Sequence, residues 1–296
     1  MDVVVFGAGS LGSLVGGLLA REHQVTLVGR DPHVDAIATD GLRVDGEFEF
    51  LVRPDAVTSL PADVRADLAV VTVKADDTAA AASALADCDL RAALSLQNGM
   101  GNEATLAAHL DCPVLAGTCT YGALLAEAGR VTCTGVGEIA LGPPEGGTAA
   151  EADEVGDAFE RAGFETTVAD DMPRRLWEKL AVNAGINATT ALARVENGAL
   201  LDGPAHAVAT AAAREAARAA QAAGVDLPVA DAAAAVEAVA DATAANTSSM
   251  HQDVRAERRT EVDAINGYVA DRAENAPVNR TLARLLRAWE RSRGLR

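Results

Sequence analysis

The sequence predicts an α/β fold: a parallel sheet covered by helices in the N-terminal part and helices alone in the C-terminal part. Two observations predict it. Short β-branched runs alternate with alanine-rich helical stretches over the first half, and from Asp170 onward strand signals all but vanish. Continuous apolar strands separated by helices mark a sheet buried on both faces, since a strand with one wet face would alternate instead.

The expected strands, in order, are VVVF at 3–6, QVTLV at 24–28, LAVVTV at 68–73, ALSL at 93–96 and PVLAGTCTY at 113–121, with weaker ones at 130–134 and 138–141. PPEGGT at 143–148 reads as a turn cluster, followed by a helix near 150–162 and a short strand near 165–168. Beyond it, helical patterns are punctuated by Gly198, Gly203-Pro204, Gly224 and Pro228. The expected domains are therefore 1–169 and 170–296, with no internal repeat.

Gly7-Ala8-Gly9-Ser10-Leu11-Gly12 directly follows the first strand and opens a helical stretch. That context turns a weak glycine pattern into a dinucleotide fingerprint. Gly7 permits the tight turn, Gly9 lets a pyrophosphate approach the backbone, and Gly12 lets helix and strand pack closely, with the phosphates on the helix N-terminus. The N-terminal domain is thus expected to be a Rossmann-type dinucleotide-binding domain, and the C-terminal one all helical. Where the second strand ends, NAD enzymes carry an acid for the ribose 2′-hydroxyl, but this chain has Arg30. A guanidinium suits a 2′-phosphate and argues for NADP(H), with a plain surface cation as the competing reading and Asp31 beside it.

The chain has 296 residues, with 43 Asp plus Glu against 25 Lys plus Arg, for a net charge of -18. Such a surface repels nucleic acid and anionic membranes. No run approaches the roughly 20 apolar residues that span a bilayer, and the start MDVVVFGAGS lacks the basic flank of a secretory signal. A cytoplasmic protein is expected. Every basic residue except Lys74 and Lys179 is arginine. Acid enrichment with lysine depletion fits a halophilic setting, where salt screens repulsion among carboxylates. Cys88, Cys112, Cys119 and Cys133 form no C-x-x-C pair and the five histidines are scattered, so buried reduced thiols are expected and no metal site is. Asn187, Asn246 and Asn279 open N-x-[ST] triplets, read as chance.

In RRLWEKLAVNAGINATTAL, Lys179, Asn183 and Asn187 are four apart, so on a helix each step drifts by only about 40° and all three share a face. A cation flanked by two amides is poor core material, and the surrounding apolar residues are too many for a solvated face. Ser248-Ser249-Met250-His251-Gln252-Asp253 is polar in a way that suggests a site. Thr260-Glu261-Val262-Asp263 has the capping-box form that starts a helix, and Glu261 as a mere first-turn acid is the competing reading.

GAGSLG at 7–12, VKA at 73–75, QNG at 97–99, LWEKLAVNAGINATTAL at 176–192, SSMHQD from 248, TEVDAINGYV up to 269 and APVN at 276–279 together resemble the ketopantoate reductase family (2-dehydropantoate 2-reductases) over essentially the whole chain. The resemblance implies NADPH-dependent reduction of 2-dehydropantoate to pantoate, on the way to pantothenate and coenzyme A. It implies Gly7 to Gly12, including Ala8, Ser10 and Leu11, on the dinucleotide, Arg30 on its 2′-phosphate, Lys74 near its ribose, and Asn98 between nicotinamide and substrate. Lys179 matches the proton donor. Asn183, Asn187 and one of Ser248 and Ser249 would bind substrate, and Glu261 would orient the lysine and the ligand. An ammonium can stabilise an alkoxide and also give up a proton, whereas a guanidinium hardly can, which explains a lysine retained at 179.

Two departures stand out: Glu257 precedes Arg258 where the family usually has a glycine-arginine pair, and His251 replaces an apolar residue. A reductase of another branched 2-oxo acid and a non-catalytic NADP-binding regulator are the alternatives. An alanine-rich helical face leaves a homodimer open, with no stripe that commits to one.

Overall fold

Strand follows strand as β1 (Asp2–Phe6), β2 (Gln24–Val28), β3 (Leu42–Gly46), β4 (Phe50–Val52), β5 (Asp55–Val57), β6 (Arg65–Val71), β7 (Asp89–Ser95), β8 (Val114–Cys119), β9 (Gly122–Glu127), β10 (Arg130–Gly135), β11 (Glu138–Gly142) and β12 (Glu165–Val168). They come from a computed structural model that describes residues 1–61 and 63–296. The helices among them are α1 (Ser10–Leu19), α2 (His33–Asp40), α3 (Thr78–Leu85), α4 (Asn102–Ala107) and α5 (Ala150–Arg161). From Met172 onward the described residues form helices only: α6 (Met172–Ala193), α7 (Gly203–Ala222), α8 (Val229–Ala242), α9 (Ser249–Arg255), α10 (Tyr268–Arg272) and α11 (Pro277–Ser292), with a π-helical turn at Asp263–Gly267. No described helix is long and apolar enough to cross a membrane.

The chain divides into two compact units, Met1–Gln97 with Gly101–Met172, and Asn98–Met100 with Pro173–Arg296. In the first, a sheet runs in the order β12-β11-β8-β7-β6-β1-β2-β5. β1 pairs in parallel with both β2 (Val3↔Val25) and β6 (Val5↔Val70). The chain therefore leaves β1 to one side and later returns to its other side. That reversal is the switch point where open α/β sheets bind ligands, at the carboxyl ends of the strands. The apolar runs are explained by two-sided burial. Val3 and Val5 pack with Leu14, Leu18 and Phe159 on one face, while Val4 packs with Ala82, Leu85 and Leu106 on the other. Each face carries its own core.

A second sheet, β4-β3-β10-β9, was not expected, nor was β5 at the edge of the main sheet. In β3 only Leu42 and Val44 face the core, between an exposed Arg43 and the polar Asp45, so the run lacks the continuous apolar signature. β4 and β5 are three residues each on either side of a short link containing Pro54. β9, GALLAE, consists after its glycine of good helix formers and is held as a strand by its antiparallel pairing with β10. Cys133 is buried as expected, but Cys88, Cys112 and Cys119 are only partly so.

The second unit packs through small residues. Ala209, Ala212, Ala213, Ala216, Ala217 and Ala220 line the buried face of α7. A Cβ on Gly185 of α6 would lie 2.7 Å from the Ala209 carbonyl oxygen, so the two helices approach closely only because residue 185 is glycine. Glu215 on α7 accepts from the Val278 and Asn279 amides at 3.0 and 2.9 Å, which caps the N-terminus of α11 with a carboxylate where the helix dipole favours one.

Candidate active site

The glycine loop after β1 separates into residues the protein needs for packing and one it does not. Gly7 has φ +117°, and a Cβ there would lie 2.7 Å from the Val73 amide nitrogen. A Cβ on Gly12 would sit 2.1 Å from the Gly7 carbonyl oxygen and 2.5 Å from Thr72 Oγ1. Around Gly9, by contrast, the nearest such atom is 4.0 Å away. The amides of Gly7 and Ala8 both donate to the Val28 carbonyl, which ties the loop to the end of β2. Gly9 is the N-cap of α1 and no side chain caps that end. Ser10 Oγ accepts from the Leu125 amide at 3.0 Å, and Leu11 packs partly against the core.

The carboxyl ends of β2 and β6 deliver the two cations of this end. Arg30 lies just past β2, its side chain 88% exposed, 3.3 Å from Asp77 Oδ2. Lys74, partly buried, precedes the 3₁₀ turn Ala75–Asp77, and its carbonyl accepts from the Asp77 amide at 2.8 Å. Beneath the loop, His33 is buried. Its Nδ1 accepts from the Gly129 amide at 2.9 Å, so the hydrogen lies on Nε2, 2.8 Å from Ser13 Oγ on α1. Burial holds its pKa below the ordinary imidazole value.

In the second unit α6 carries Lys179, Asn183 and Asn187, the first two partly exposed and the third buried. Two neighbours grip this helix. Asn266 Nδ2 donates to the Ala184 carbonyl at 2.9 Å, and the Trp177 and Tyr268 rings meet edge-on at 5.8 Å. Farther along, Thr190 Oγ1 is 2.7 Å from Ser248 Oγ.

The two candidate serines differ sharply. Ser248 is buried and caps α9, its Oγ accepting from the His251 amide at 3.2 Å. Thr190 spends its hydroxyl hydrogen on the Ile186 carbonyl at 2.8 Å, so the hydrogen in the Thr190–Ser248 contact is that of Ser248. Ser249 is exposed. His251 is buried, with Nδ1 3.2 Å from the Val195 carbonyl oxygen.

Asn98 and Glu261, far apart in sequence, meet within this unit: Asn98 Nδ2 donates to Glu261 Oε2 at 3.4 Å. The Met100 amide donates to the Ala264 carbonyl at 3.2 Å, and between them Gly99, at φ +81°, leaves no room for a Cβ, which would fall 2.6 Å from that of Ala264. The capping box expected at Thr260–Asp263 is not formed. The Thr260 amide and hydroxyl both donate to Glu290, and Asp263 turns to Arg287 and Arg296, so tertiary contacts replace the reciprocal box, while Thr260 Oγ1 keeps a local bond from the Val262 amide at 3.4 Å. Burial raises the Asp263 pKa, but the hydrogen bonds from Arg296 and Arg287 outweigh it and hold the carboxyl below its usual range. Glu257 sits at φ +49°, the left-handed region that glycine favours, at the position where the resemblance leads one to expect glycine.

Sequence reasoning passed over Asn197. Its Oδ1 is buried without a hydrogen-bond donor, while its Nδ2 donates to Thr243 Oγ1 at 2.9 Å. Asparagine next to glycine reads as a turn, and only the tertiary fold reveals the open acceptor. Among the described residues no group of three or more His, Cys, Asp or Glu is placed to hold a metal.

Residues 3–146 match the family model for ketopantoate reductase PanE/ApbA, and residues 171–290 match its C-terminal counterpart. A 2-dehydropantoate 2-reductase of Halobacterium salinarum is 46% identical, with 98% of this chain and 99% of its own covered. One from Archaeoglobus fulgidus is 40% identical, with 97% of each covered. The crystal structure of a PanE/ApbA family ketopantoate reductase from Ralstonia eutropha superposes with a TM-score of 0.91 at 33% identity, covering 99% of this chain and 100% of that one. On both halves and along its full length, then, the chain belongs to the ketopantoate reductase family.

Proposed function

We propose that this chain reduces the ketone of 2-dehydropantoate to give pantoate, with NADPH as the hydride source. The reading is carried chiefly by the second unit, where α6 presents Lys179, Asn183 and Asn187 and where the amide of Asn98 meets the carboxylate of Glu261. Family membership and the names of the relatives supply the substrate.

The glycine loop fits a dinucleotide. Packing requires glycine at 7 and 12 but not at 9, so the bare backbone at Gly9 is explained by a ligand that must come close. The uncapped start of α1 suits a pyrophosphate. Arg30, largely exposed and held by a surface pair with Asp77, can turn toward a 2′-phosphate, and Lys74 lies two strands along, past the end of β6. We assign residues 1–169 to dinucleotide binding and 170–296, with Asn98, to the substrate.

When bound, the nicotinamide supplies the hydride to the ketone carbon. The remaining work falls to the chain. Lys179 hydrogen-bonds the ketone oxygen, stabilises the negative charge that grows there, and gives it a proton. Glu261 holds the ammonium in place, Asn98 fixes Glu261, and Asn183 and Asn187 fix the substrate. Ser249 is the better carboxylate ligand of the two serines, because the hydrogen of Ser248 is already committed to Thr190. The acidic, lysine-poor composition and the 46% identity to a protein of Halobacterium salinarum favour work at high salt.

The test compares turnover of 2-dehydropantoate with that of a branched 2-oxo acid lacking the terminal hydroxyl, each with NADPH and with NADH. Preference for 2-dehydropantoate with NADPH is expected. Equal rates on both acids would make the chain a broader 2-oxo acid reductase, and binding of NADPH without turnover would make it a regulator.

A further inference from the structure

The residues on either side of Glu261 are fastened to α11. Glu290, in the last turn of that helix, is fully buried. Its Oε1 accepts from the Thr260 amide at 2.9 Å and from the Thr260 hydroxyl at 2.6 Å, and its Oε2 accepts from Arg296 Nε at 2.9 Å. Three residues earlier on the same face, Arg287 Nε donates to Asp263 Oδ1 at 2.7 Å. Residues 260 and 263 are thus both fastened to one helix, and Glu261 lies between the two fastenings with its carboxylate toward Asn98.

The arrangement is costly on its own terms. An acid at a helix C-terminus opposes the macrodipole, and a buried carboxylate is unfavourable until its partners compensate. Gly267 borders the same contact: a Cβ there would lie 2.6 Å from Arg287 Nη2, so the bare backbone leaves the guanidinium its room beside Asp263. The π-helical turn at Asp263–Gly267, in which the Gly267 amide donates to the Val262 carbonyl at 2.8 Å, begins within this clamped stretch. A simple peg for a loop would need only one of these contacts.

We infer that Glu290 and Arg287 are positioning residues that set the Glu261 carboxylate for the reaction. The inference rests on the reading above, in which Glu261 orients Lys179 and the ligand. Glu290 touches neither Asn98 nor Lys179 through any contact described, so its effect on rate passes through the Thr260–Asp263 segment.

The experiment is a double-mutant cycle on kcat with 2-dehydropantoate and NADPH in molar potassium chloride, using the wild type, Glu290→Gln, Glu261→Gln and the double variant. Misplacing a reacting group by about 1 Å costs up to about 10²-fold, so Glu290→Gln is expected to lower kcat about tenfold or more, with KM changed far less. In the Glu261→Gln background the same replacement should change kcat by less than about twofold, since residues acting through one group are not additive. Equal losses in both backgrounds overturn the inference, as does a kcat for Glu290→Gln within about twofold of the wild type. If Glu290→Gln does not fold, Thr260→Val, which removes the hydroxyl that donates to Glu290 and accepts from the Val262 amide at 3.4 Å, takes its place with the same expectation. A wild-type chain that turns over no 2-oxo acid would instead sink the reduction reading and this inference with it, whereas turnover with additive losses sinks the positioning role alone.

Discussion

Asn98 and Glu261, 163 residues apart, are joined by a hydrogen bond of 3.4 Å from amide to carboxylate. The loop bearing Asn98 is pinned to the segment bearing Glu261 by the Met100–Ala264 bond and by the lack of a side chain at Gly99. Asn98→Ala is therefore expected to lower kcat about a hundredfold, the scale of losing one preorganised polar contact at a reacting centre. The fold should persist, because the Met100 contact is a backbone bond. Steady-state rates beside a thermal melt check this, and a rate within twofold of the wild type would remove Asn98 from the site.

Gly9 and Gly12 should part company. Gly12→Ala drives a methyl into the Gly7 carbonyl and Thr72, and overpacking of this kind costs about 1–3 kcal/mol, so the melting temperature falls. Gly9→Ala meets nothing in the protein closer than 4.0 Å. It should melt like the wild type and bind NADPH much more weakly, measured by titration of intrinsic fluorescence. Undiminished NADPH affinity in Gly9→Ala would take the phosphates away from this loop.

The serines divide between stability and binding. Ser248→Ala removes a helix cap and the bond to Thr190, which costs about 1–2 kcal/mol and leaves a measurable drop in denaturant midpoint. Ser249→Ala should leave the midpoint alone and raise KM for the 2-oxo acid. The opposite pattern would return the carboxylate to Ser248.

His33 ties stability to pH. Because its folded pKa is lowered, the unfolded chain takes up a proton below its own pKa of 6.5 that the folded chain refuses. Stability from this group is therefore full above that pH and is lost as pH falls from there toward the folded pKa. Comparing melts at about pH 7.5 and about pH 5.5, the wild type should lose more than His33→Gln over that interval. Identical losses would mean that burial does not hold His33 neutral.

The fold was legible wherever burial is two-sided. Strands such as Val3–Val5 are apolar on both faces and announce themselves, and the change of character at Asp170 follows from the absence of such runs. β3, β4, β5 and β9 were not legible, since each is short, half-wet or built of helix formers and exists only through pairing with a neighbour. At the candidate site, the spacing of Lys179, Asn183 and Asn187 was readable because a helix repeats regularly. The contest for Thr260 was not, because its winner, Glu290, lies 30 residues away and leaves no local trace. The unmet acceptor of Asn197 belongs to the same class. Long-range contacts carry no period that a sequence displays.

The most direct measurement of the central claim is the loss of reduced-nicotinamide absorbance on mixing the protein, NADPH and 2-dehydropantoate in molar potassium chloride, for the wild type and for Lys179→Ala. Turnover by the wild type and a collapse of kcat in Lys179→Ala, with NADPH binding intact, are expected. Turnover by Lys179→Ala at the wild-type rate would contradict that claim, because the proton would then come from elsewhere.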